Sequence, residues 1–351
     1  MQILRNLFLF ILPLFFACAI PDQGQKKETK NVISFKIEEL DSPSDASIRG
    51  IWVLDSNCIW LSGAKGTVLR SLNSGESWQL LPPPDQDSLD FRDIHAFSKE
   101  SALIVSAGYP ARVYLTKDAG ENWELVYENL DSSAFMNSVH FKDSKNGLIV
   151  GDKLNDYHFL LMTADGGRSW DRVDSTKIAK PLKIEHAFAA SGSCITVNEA
   201  GNYVVAFGGE KSRVLRQAND QWIATELAID DSSASSGVYS IASGAGKLMT
   251  AGGDYTKEDE AWHAFYSEDG GETWQSTASK YRGYRSVVAY SPLMELWLAA
   301  GSNGVDLFYP EHRIWSKVSD KSINTLQFDQ YTPRAWAAGP DGSIYRINFK
   351  R

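Results

Sequence analysis

The stretch S267-E-D-G-G-E-T-W274 decides the fold, because its pattern returns along the chain at a regular distance. It fits the template Ser/Thr-x-Asp-x-Gly-x-x-Trp. Three more segments fit this template, the first with Asn73 in place of Asp: S71-L-N-S-G-E-S-W78, T116-K-D-A-G-E-N-W123 and T163-A-D-G-G-R-S-W170. Weaker copies keep mainly the Trp, in R216-Q-A-N-D-Q-W222 and Y309-P-E-H-R-I-W315. The six Trp residues lie 41 to 52 residues apart, a spacing that indicates a structural repeat.

Two further markers follow the same period. An apolar run ends at a glycine seven times, at Gly63, Gly108, Gly151, Gly208, Gly252, Gly301 and Gly339. Ahead of each run, a polar or aromatic residue stands two places before an apolar one: Arg49, Arg92, Asn137, His186, Tyr239, Arg285 and Asn324. Each unit then divides into four short strands. The sequence predicts an all-β fold, a seven-bladed β-propeller of four-stranded antiparallel blades.

The last unit has only three strands of its own before the chain ends. The segment V32-I-S-F-K-I-E-E-L40 alternates apolar and polar residues, as a half-buried strand does. We expect this N-terminal strand to complete the last blade, because a closed ring leaves no open sheet edge. Residues 32–351 are therefore predicted to form one propeller domain.

The first residues read as a targeting segment. One positive charge and an apolar stretch end in F15-F-A-C18, which resembles a lipoprotein processing site. We expect residues 1–18 to be a lipoprotein-type signal peptide, with Cys18 lipidated, and residues 19–31 to be a polar tether. The alternative is an ordinary secretory signal with an incidental Cys. Either reading predicts a location outside the cytoplasm; the lipid anchor would place the chain in the cell envelope, periplasmic or outer-membrane associated.

Composition limits the classes of partner and cofactor that we expect. The 351 residues carry 35 Lys and Arg against 44 Asp and Glu, a net charge of −9, which disfavours a nucleic-acid partner. Cys58 and Cys194 lie in apolar runs three blades apart, so we expect two buried free thiols. The six His residues show no metal-ligand spacing. The glycines of G63-A-K-G66 and G244-A-G246 are typical of hairpin turns and not of cofactor-binding loops. We expect no cofactor, no metal, membrane contact through the lipid anchor only, and a monomer.

The repeated turn has a structural explanation. Asp or Asn can accept hydrogen bonds from backbone amides in its own turn, Gly permits a positive φ, and Trp can pack between neighbouring blades. The acids are spread around the ring, which argues against a clustered metal site. We assign this structural role to Asn73, Gly75, Trp78, Asp118, Gly120, Trp123, Asp165, Gly167, Trp170, Asp269, Gly271 and Trp274.

These turns resemble the Asp-box, or bacterial neuraminidase repeat, of sialidases and several non-enzymatic propellers. The first blade, S47-I-R-G-I-W-V-L-D55 with W60-L-S-G-A-K-G-T-V-L-R-S71, is similar to that of the photosystem II assembly/stability factor family, and F91-R-D-I-H95 resembles the second. That family includes thylakoid-lumen propellers and bacterial relatives without a photosynthetic role, and the lipid anchor favours the latter. The resemblance implies that arginines on one face bind a partner polypeptide; Arg49, Arg92 and Arg285 occupy matching positions. The fourth and sixth units depart from the box.

In a propeller, the first strand of each blade lines the central channel. We expect the seven marker residues Arg49, Arg92, Asn137, His186, Tyr239, Arg285 and Asn324 to form a ring at the channel mouth that binds a protein or peptide. The alternative is that these polar groups satisfy one another and trapped water.

The sequence supports an enzymatic function less well than a binding function. A sialidase needs three Arg and a Tyr activated by Glu, but Gly50 follows Arg49 where the sialidase motif has Ile-Pro, and no Glu is placed to activate Tyr239. The acidic pairs Asp230–Asp231 and Glu258–Glu260 lie in polar loops, and strand alternation turns Asp93 away from Arg92. We expect a non-enzymatic binding and assembly scaffold on a bacterial membrane surface. The alternative is a glycan-binding or glycan-hydrolysing, sialidase-like propeller, so that any enzyme would be a glycosidase.

Overall fold

The computed structural model describes residues 34–229 and 233–350. These residues form 31 strands and one short 3-10 turn, Ser175–Lys177. The described part of the chain contains no helix that combines the length and the apolar character needed to cross a membrane. The predicted leader, Cys18, the tether, Asp230 and Asp231 lie outside the described residues.

Five antiparallel sheets have four strands each. Sheet 1 comprises β2 (Ile48–Val53), β3 (Ile59–Gly63), β4 (Val68–Ser71) and β5 (Gln79–Leu80). Sheet 2 comprises β6 (Asp90–Ala96), β7 (Ala102–Ala107), β8 (Ala111–Thr116) and β9 (Glu124–Asn129). Sheet 3 comprises β10 (Met136–Phe141), β11 (Gly147–Leu154), β12 (Tyr157–Thr163) and β13 (Asp171–Arg172). Sheet 6 comprises β25 (Val287–Ser291), β26 (Leu296–Gly301), β27 (Gly304–Tyr309) and β28 (Ile314–Ser319). Sheet 7 comprises β29 (Thr325–Phe328), β30 (Arg334–Ala338), β31 (Ile344–Lys350) and β1 (Ser34–Leu40).

Two further groups of strands join into one nine-stranded sheet through a single pairing of Gly208 with Gly237. Sheet 4 comprises β14 (Glu185–His186), β15 (Ile195–Val197), β16 (Tyr203–Gly209), β17 (Arg213–Ala218) and β18 (Gln221–Glu226). Sheet 5 comprises β19 (Ser236–Gly244), β20 (Lys247–Asp254), β22 (Phe265–Ser267) and β23 (Gln275–Ser276). A small separate sheet pairs β21 (Ala261–Trp262) with β24 (Tyr281–Arg282). Both β14 and β15 pair with β16, so the first strand of sheet 4 is interrupted.

The first strands of successive sheets contact one another in the order β2, β6, β10, β15, β19, β25, β29, and β29 also contacts β2. They surround a central channel, as in a β-propeller. Because consecutive strands are antiparallel, the beginnings of the first strands and the Asp-box turns lie at opposite ends of the channel. We call these two ends the arginine face and the Asp-box face.

The N-terminal strand pairs with the last strand of the chain. The register runs from Ser34 opposite Lys350 to Leu40 opposite Ile344, all antiparallel. Across this pair, Arg346 Nη2 donates to Glu38 Oε2 at 2.9 Å. This is the pairing that the alternating N-terminal segment predicts.

The apolar core lies in layers between neighbouring sheets. One layer combines Leu61 and Leu69 of sheet 1 with Trp336 and Ala338 of sheet 7, and comparable layers separate the other neighbours. Cys58 and Cys194 are buried free thiols, as predicted. Burial raises the pKa of Cys58 to about 11.

Candidate functional site

The Asp-box turns engage their polar groups internally. Asp269 Oδ1 accepts the amide of Thr273 at 2.9 Å, and Ser267 Oγ accepts the amide of Gly271 at 2.8 Å. Partial burial acts to raise the pKa of Asp269. The hydroxyl and amide of Thr273 donate to its carboxylate and outweigh that effect, so the pKa is lowered to about 2. Equivalent bonds are made by Asp118, Asp165 and, through its carboxamide oxygen, Asn73. These side chains hold their turns.

The Gly and Trp of each box lie where two sheets meet. Gly271 has φ +99°, and a Cβ on Gly75 would come within 2.8 Å of Trp336 in sheet 7. Trp274 packs on a cluster shared by sheets 4 and 5. Trp78, Trp123 and Trp170 pack at the contacts of sheets 7 with 1, 1 with 2 and 2 with 3, beside Gly75, Gly120 and Gly167.

Four of the seven predicted ring residues occupy equivalent β-bulges. The register of β2, β6, β10 and β19 shifts by one residue, and the residue left out of the pairing is Arg49, Arg92, Asn137 or Tyr239. A bulge bends the strand and redirects its side chain. It also resets the alternation that follows, so Asp93 lines the channel, contrary to expectation.

The channel is blocked at the arginine face by residues 187–194, which we call the plug segment. Its bonds reach several first strands: Ser191 Oγ donates to Ser286 O at 2.7 Å, Thr325 Oγ1 to Ser191 O at 3.1 Å, and Ser138 Oγ to Gly192 O at 2.6 Å. Ser286, Thr325 and Ser138 each directly follow a marker residue in the sequence. The interruption of the first strand in sheet 4 thus fills the mouth of the channel.

Arg49 and Arg92 lie together on the plug segment. Arg92 Nη1 donates to Ala189 O at 2.8 Å, and Arg49 Nη1 to Ala190 O at 3.4 Å. Arg92 Nε also pairs with Asp90 Oδ2 at 2.8 Å. Burial, and next the neighbouring charge of Arg92, lowers the pKa of Arg49. Two guanidinium groups against one carboxylate leave a local positive charge at this end of the channel.

Asn137 and His186 converge on one carboxylate. Asn137 Nδ2 donates to Asp152 Oδ1 at 2.8 Å, and His186 Nδ1 lies 3.5 Å from Asp152 Oδ2. The contact with Asp152 raises the pKa of His186. Asn137 is buried, and its bond to Asp152 fixes the end of β10. His186 is partly exposed.

Tyr239 belongs to an aromatic cluster. Its ring stacks on Phe188 of the plug segment at 3.9 Å between centroids and meets Tyr284 edge-on at 4.7 Å. Its hydroxyl donates to Ser235 O, and burial raises its pKa well above the usual range. The hydroxyl thus binds a backbone carbonyl, where a sialidase mechanism would require a Glu.

Arg285 departs from the predicted ring. It is completely buried, with Nε 2.6 Å from Asp306 Oδ2 and Nη1 donating to Tyr284 O at 2.9 Å. Its guanidinium lies 5.4 Å from the ring of Tyr281. No strand bulge redirects it outward, since β25 begins only at Val287. Arg285 is therefore a structural ion-pair residue, and it does not join Arg49 and Arg92 in the predicted ring.

Asn324 also has a structural role. Its Nδ2 donates to Ile48 O at 2.9 Å and to Ser47 Oγ at 3.1 Å, which ties sheet 7 to sheet 1. Of the seven marker residues, the structure brings Arg49, Arg92 and Tyr239 together around the plug segment. The other four secure sheet ends.

Sequence reasoning missed the plug segment and the grouping of aromatic residues around it. Phe188 is the apolar residue two places after the His186 marker, whereas Tyr284 and the exposed Tyr255 have no repeat marker of their own. Tyr255 and Tyr109 follow second strands and so lie on the arginine face, 56% and 61% exposed. One signal could have indicated the plug segment: the run of small residues A189-A-S-G-S193 stands where other units continue their first strand.

The other candidate clusters do not form a site. Lys257 pairs with Glu260 at 3.2 Å, and Glu258 O accepts Asn303 Nδ2. Among residues 34–229 and 233–350, no three His, Cys, Asp or Glu side chains are grouped to hold a metal ion.

Comparison with known proteins finds relatives along most of this chain. The BNR/Asp-box repeat family matches residues 265–276. The photosystem II stability/assembly factors HCF136 of Oryza sativa and Arabidopsis thaliana are 22% and 21% identical over 320 and 315 residues, each 82% of this chain and 75% or 72% of the relative.

Two solved structures share the fold. That of YCF48 bound to D1 peptide has a TM-score of 0.64 and 13% identity, covering 90% of this chain and 96% of its own. That of YCF48 from Cyanidioschyzon merolae has a TM-score of 0.64 and 15% identity, covering 89% and 98%. The predicted resemblance is confirmed: this chain is a β-propeller with Asp-box repeats, similar to the photosystem II stability/assembly factors.

Proposed function

We propose that the chain is a non-enzymatic binding and assembly scaffold that holds a segment of a partner polypeptide on its arginine face. The observation that carries the proposal is the paired Arg49 and Arg92 above the plug segment. Arg92 engages Asp90 and Ala189, and Arg49 engages Ala190, through one or two nitrogens each. The remaining guanidinium nitrogens can donate to carbonyl or carboxylate oxygens of a partner.

Aromatic surface beside the arginines supports the same function. Tyr255 directly follows β20, on the same face as Tyr239 and Tyr284, and it is largely exposed. Tyr and Arg dominate the energetics of protein interfaces because they combine large contact area with directed hydrogen bonds. A solved relative is a complex with D1 peptide, which supports a peptide partner for this chain.

The test is a double substitution with a matched control. Arg49→Ala with Arg92→Ala removes both cations from the arginine face, and Lys99→Ala with Lys145→Ala removes two exposed cations from the opposite face. We expect co-purification of a polypeptide from native membranes to fall at least tenfold in the first variant only. Equal recovery with both variants, each shown to melt cooperatively, would overturn the proposal.

We further infer that the sheets form a closed seven-bladed ring in which β1 is the fourth strand of the last blade. Supporting contacts are β1 with β31, the Ile48 amide with Gly339 O at 3.0 Å, and Asn324 with Ile48 O. Residues 32–351 would then be one domain.

We also propose that Cys18 is lipidated and that residues 19–31 tether the propeller to an envelope membrane of a bacterium. The support is the sequence F15-F-A-C18 and the polar stretch after it. Metabolic labelling with a fatty acid should mark the full-length chain and not its Cys18→Ser variant. A labelled Cys18→Ser chain would contradict lipidation at this residue.

A further inference from the structure

A blind cavity of about 640 Å³ opens on the Asp-box face. Its floor is the far side of the plug segment, formed by Ser191, Gly192 and Ser193. The volume lies within the range of roughly 300–1,000 Å³ that small-molecule sites occupy. Because the plug segment separates it from the arginine face, this cavity is a distinct site from the proposed polypeptide surface.

The wall combines aromatic rings with unused hydrogen-bonding groups. Five partly exposed or nearly buried side chains from five sheets contribute: Trp52, His140, Thr196, Tyr290 and Gln327. Gln327 Oε1 accepts the Val53 amide at 2.7 Å, which leaves its Nε2 available. Within the described residues, no hydrogen bond reaches the ring nitrogens of His140 or the hydroxyls of Thr196 and Tyr290.

Trp52 packs beside two imidazole rings. Its ring lies 3.7 Å from that of His95 and 6.2 Å from that of His140, measured between centroids. Burial lowers the pKa of His140 to about 4. The imidazole is therefore neutral at pH 7, with one donor and one acceptor nitrogen.

The cavity favours an uncharged ligand. Among the residues that the structure describes, its lining contains no Lys, Arg or Glu, and its one acidic side chain is Asp93. The Asp93 oxygens accept the amides of Val139 (2.7 Å) and Ile94 (2.8 Å), and burial raises the pKa of Asp93 well above its usual range. A buried carboxyl group that retains its proton offers little attraction to a cation, and an anion would find no positive partner.

We propose that this cavity binds the end of a neutral saccharide. A sugar ring presents C–H faces that pack on aromatic rings such as Trp52 and Tyr290, and an edge of hydroxyls. Those hydroxyls match the imidazole, carboxamide and hydroxyl groups that the wall leaves free. The small residues of the plug segment set the depth to which the ring can enter.

The experiment titrates the full chain with neutral mono- and disaccharides of glucose, galactose, mannose and N-acetylglucosamine. Binding is followed by saturation-transfer NMR and tryptophan fluorescence. We expect saturable binding of at least one sugar, weakened about tenfold by Tyr290→Phe, which removes only a hydroxyl, and by His140→Ala. Tyr309→Phe, outside the cavity, and the Arg49→Ala, Arg92→Ala variant should bind like the wild type.

Three results would overturn the proposal. One is the absence of saturable binding by every sugar of the panel. Another is binding that persists unchanged in both the Tyr290→Phe and His140→Ala variants. The third is tighter binding of an uncharged, acetylated and amidated glycine peptide than of any sugar, which would assign the cavity to polypeptide.

Discussion

At the scale of single residues, Asp269 shows how an Asp-box acid acts on its own turn. Asp269→Asn keeps an oxygen acceptor, as Asn73 does in the first box, so we expect it to lose less stability than Asp269→Ala, although it gives up the negative charge. Asp269→Ala removes the acceptor and should cost about 1 kcal/mol. Because the folded pKa of Asp269 is about 2, the stability that its charged carboxylate contributes is fully present above the unfolded pKa. That stability is lost as the pH falls through about 2. Urea unfolding at neutral pH checks this; equal losses for both variants would contradict it.

Arg285 is a structural residue by its contacts. Arg285→Met leaves Asp306 buried without its cation, which should cost about 3–5 kcal/mol of unfolding free energy. Adding Asp306→Leu should restore much of that loss, because the unpaired charge is then gone. Arg282→Ala, an exposed neighbour, is the control. A loss below about 1 kcal/mol for Arg285→Met would show that the ion pair is not needed.

His186 gives a pH dependence at the same scale. Its folded pKa is raised by Asp152, so the stabilisation is fully present below the unfolded pKa and is lost as the pH rises through the folded value. NMR titration should show a lower pKa for His186 in the Asp152→Asn variant than in the wild type. Identical titration curves would refute the coupling.

At the scale of elements, the plug segment depends on Gly192. Its φ is +69°, and a Cβ there would lie 2.2 Å from Asp93 Oδ1. Gly201 has φ +78° with nothing within 4 Å, so Gly201→Ala carries only the backbone cost of about 1 kcal/mol. We expect Gly192→Ala to cost clearly more and to expose the buried Cys194 thiol to alkylation, read by mass spectrometry. Equal costs with Cys194 still protected would mean that the plug segment does not rest on Asp93.

The elements also explain what the sequence could and could not predict. Periodic Trp and Gly residues predict the repeat and its strands, because each unit must bury the same face. The bulges at Arg49 and Arg92 are shifts in the pairing of a first strand with the second strand of its sheet, which no local pattern encodes. The bulge at Arg92 resets the alternation, so strand alternation predicted the wrong side for Asp93. The repeat marker placed Arg285 in the ring, although β25 begins only at Val287. The plug segment replaces a strand with small residues, and only the assembled channel shows what they fill.

At the scale of the whole molecule, the closed ring that we propose depends on the pairing of β1 with β31. Lys36 and Asn348 are register partners, and such partners lie within disulfide reach. Oxidised Lys36→Cys, Asn348→Cys protein should form this bond and gain about 2–5 kcal/mol of stability. Lys36→Cys with Lys350→Cys is two residues out of register and should not cross-link. Efficient cross-linking of both pairs would contradict the register.

The central claim, that the arginine face holds a partner polypeptide, is tested most directly by site-specific photo-cross-linking. A photoreactive phenylalanine replaces Tyr255 on the arginine face or Tyr331 on the Asp-box face, which are 56% and 70% exposed. In native membranes, the account predicts a discrete cross-linked polypeptide from position 255, lost when Arg49 and Arg92 are Ala, and none from position 331. A cross-link from position 331 alone, or one from 255 that survives loss of both arginines, would contradict it.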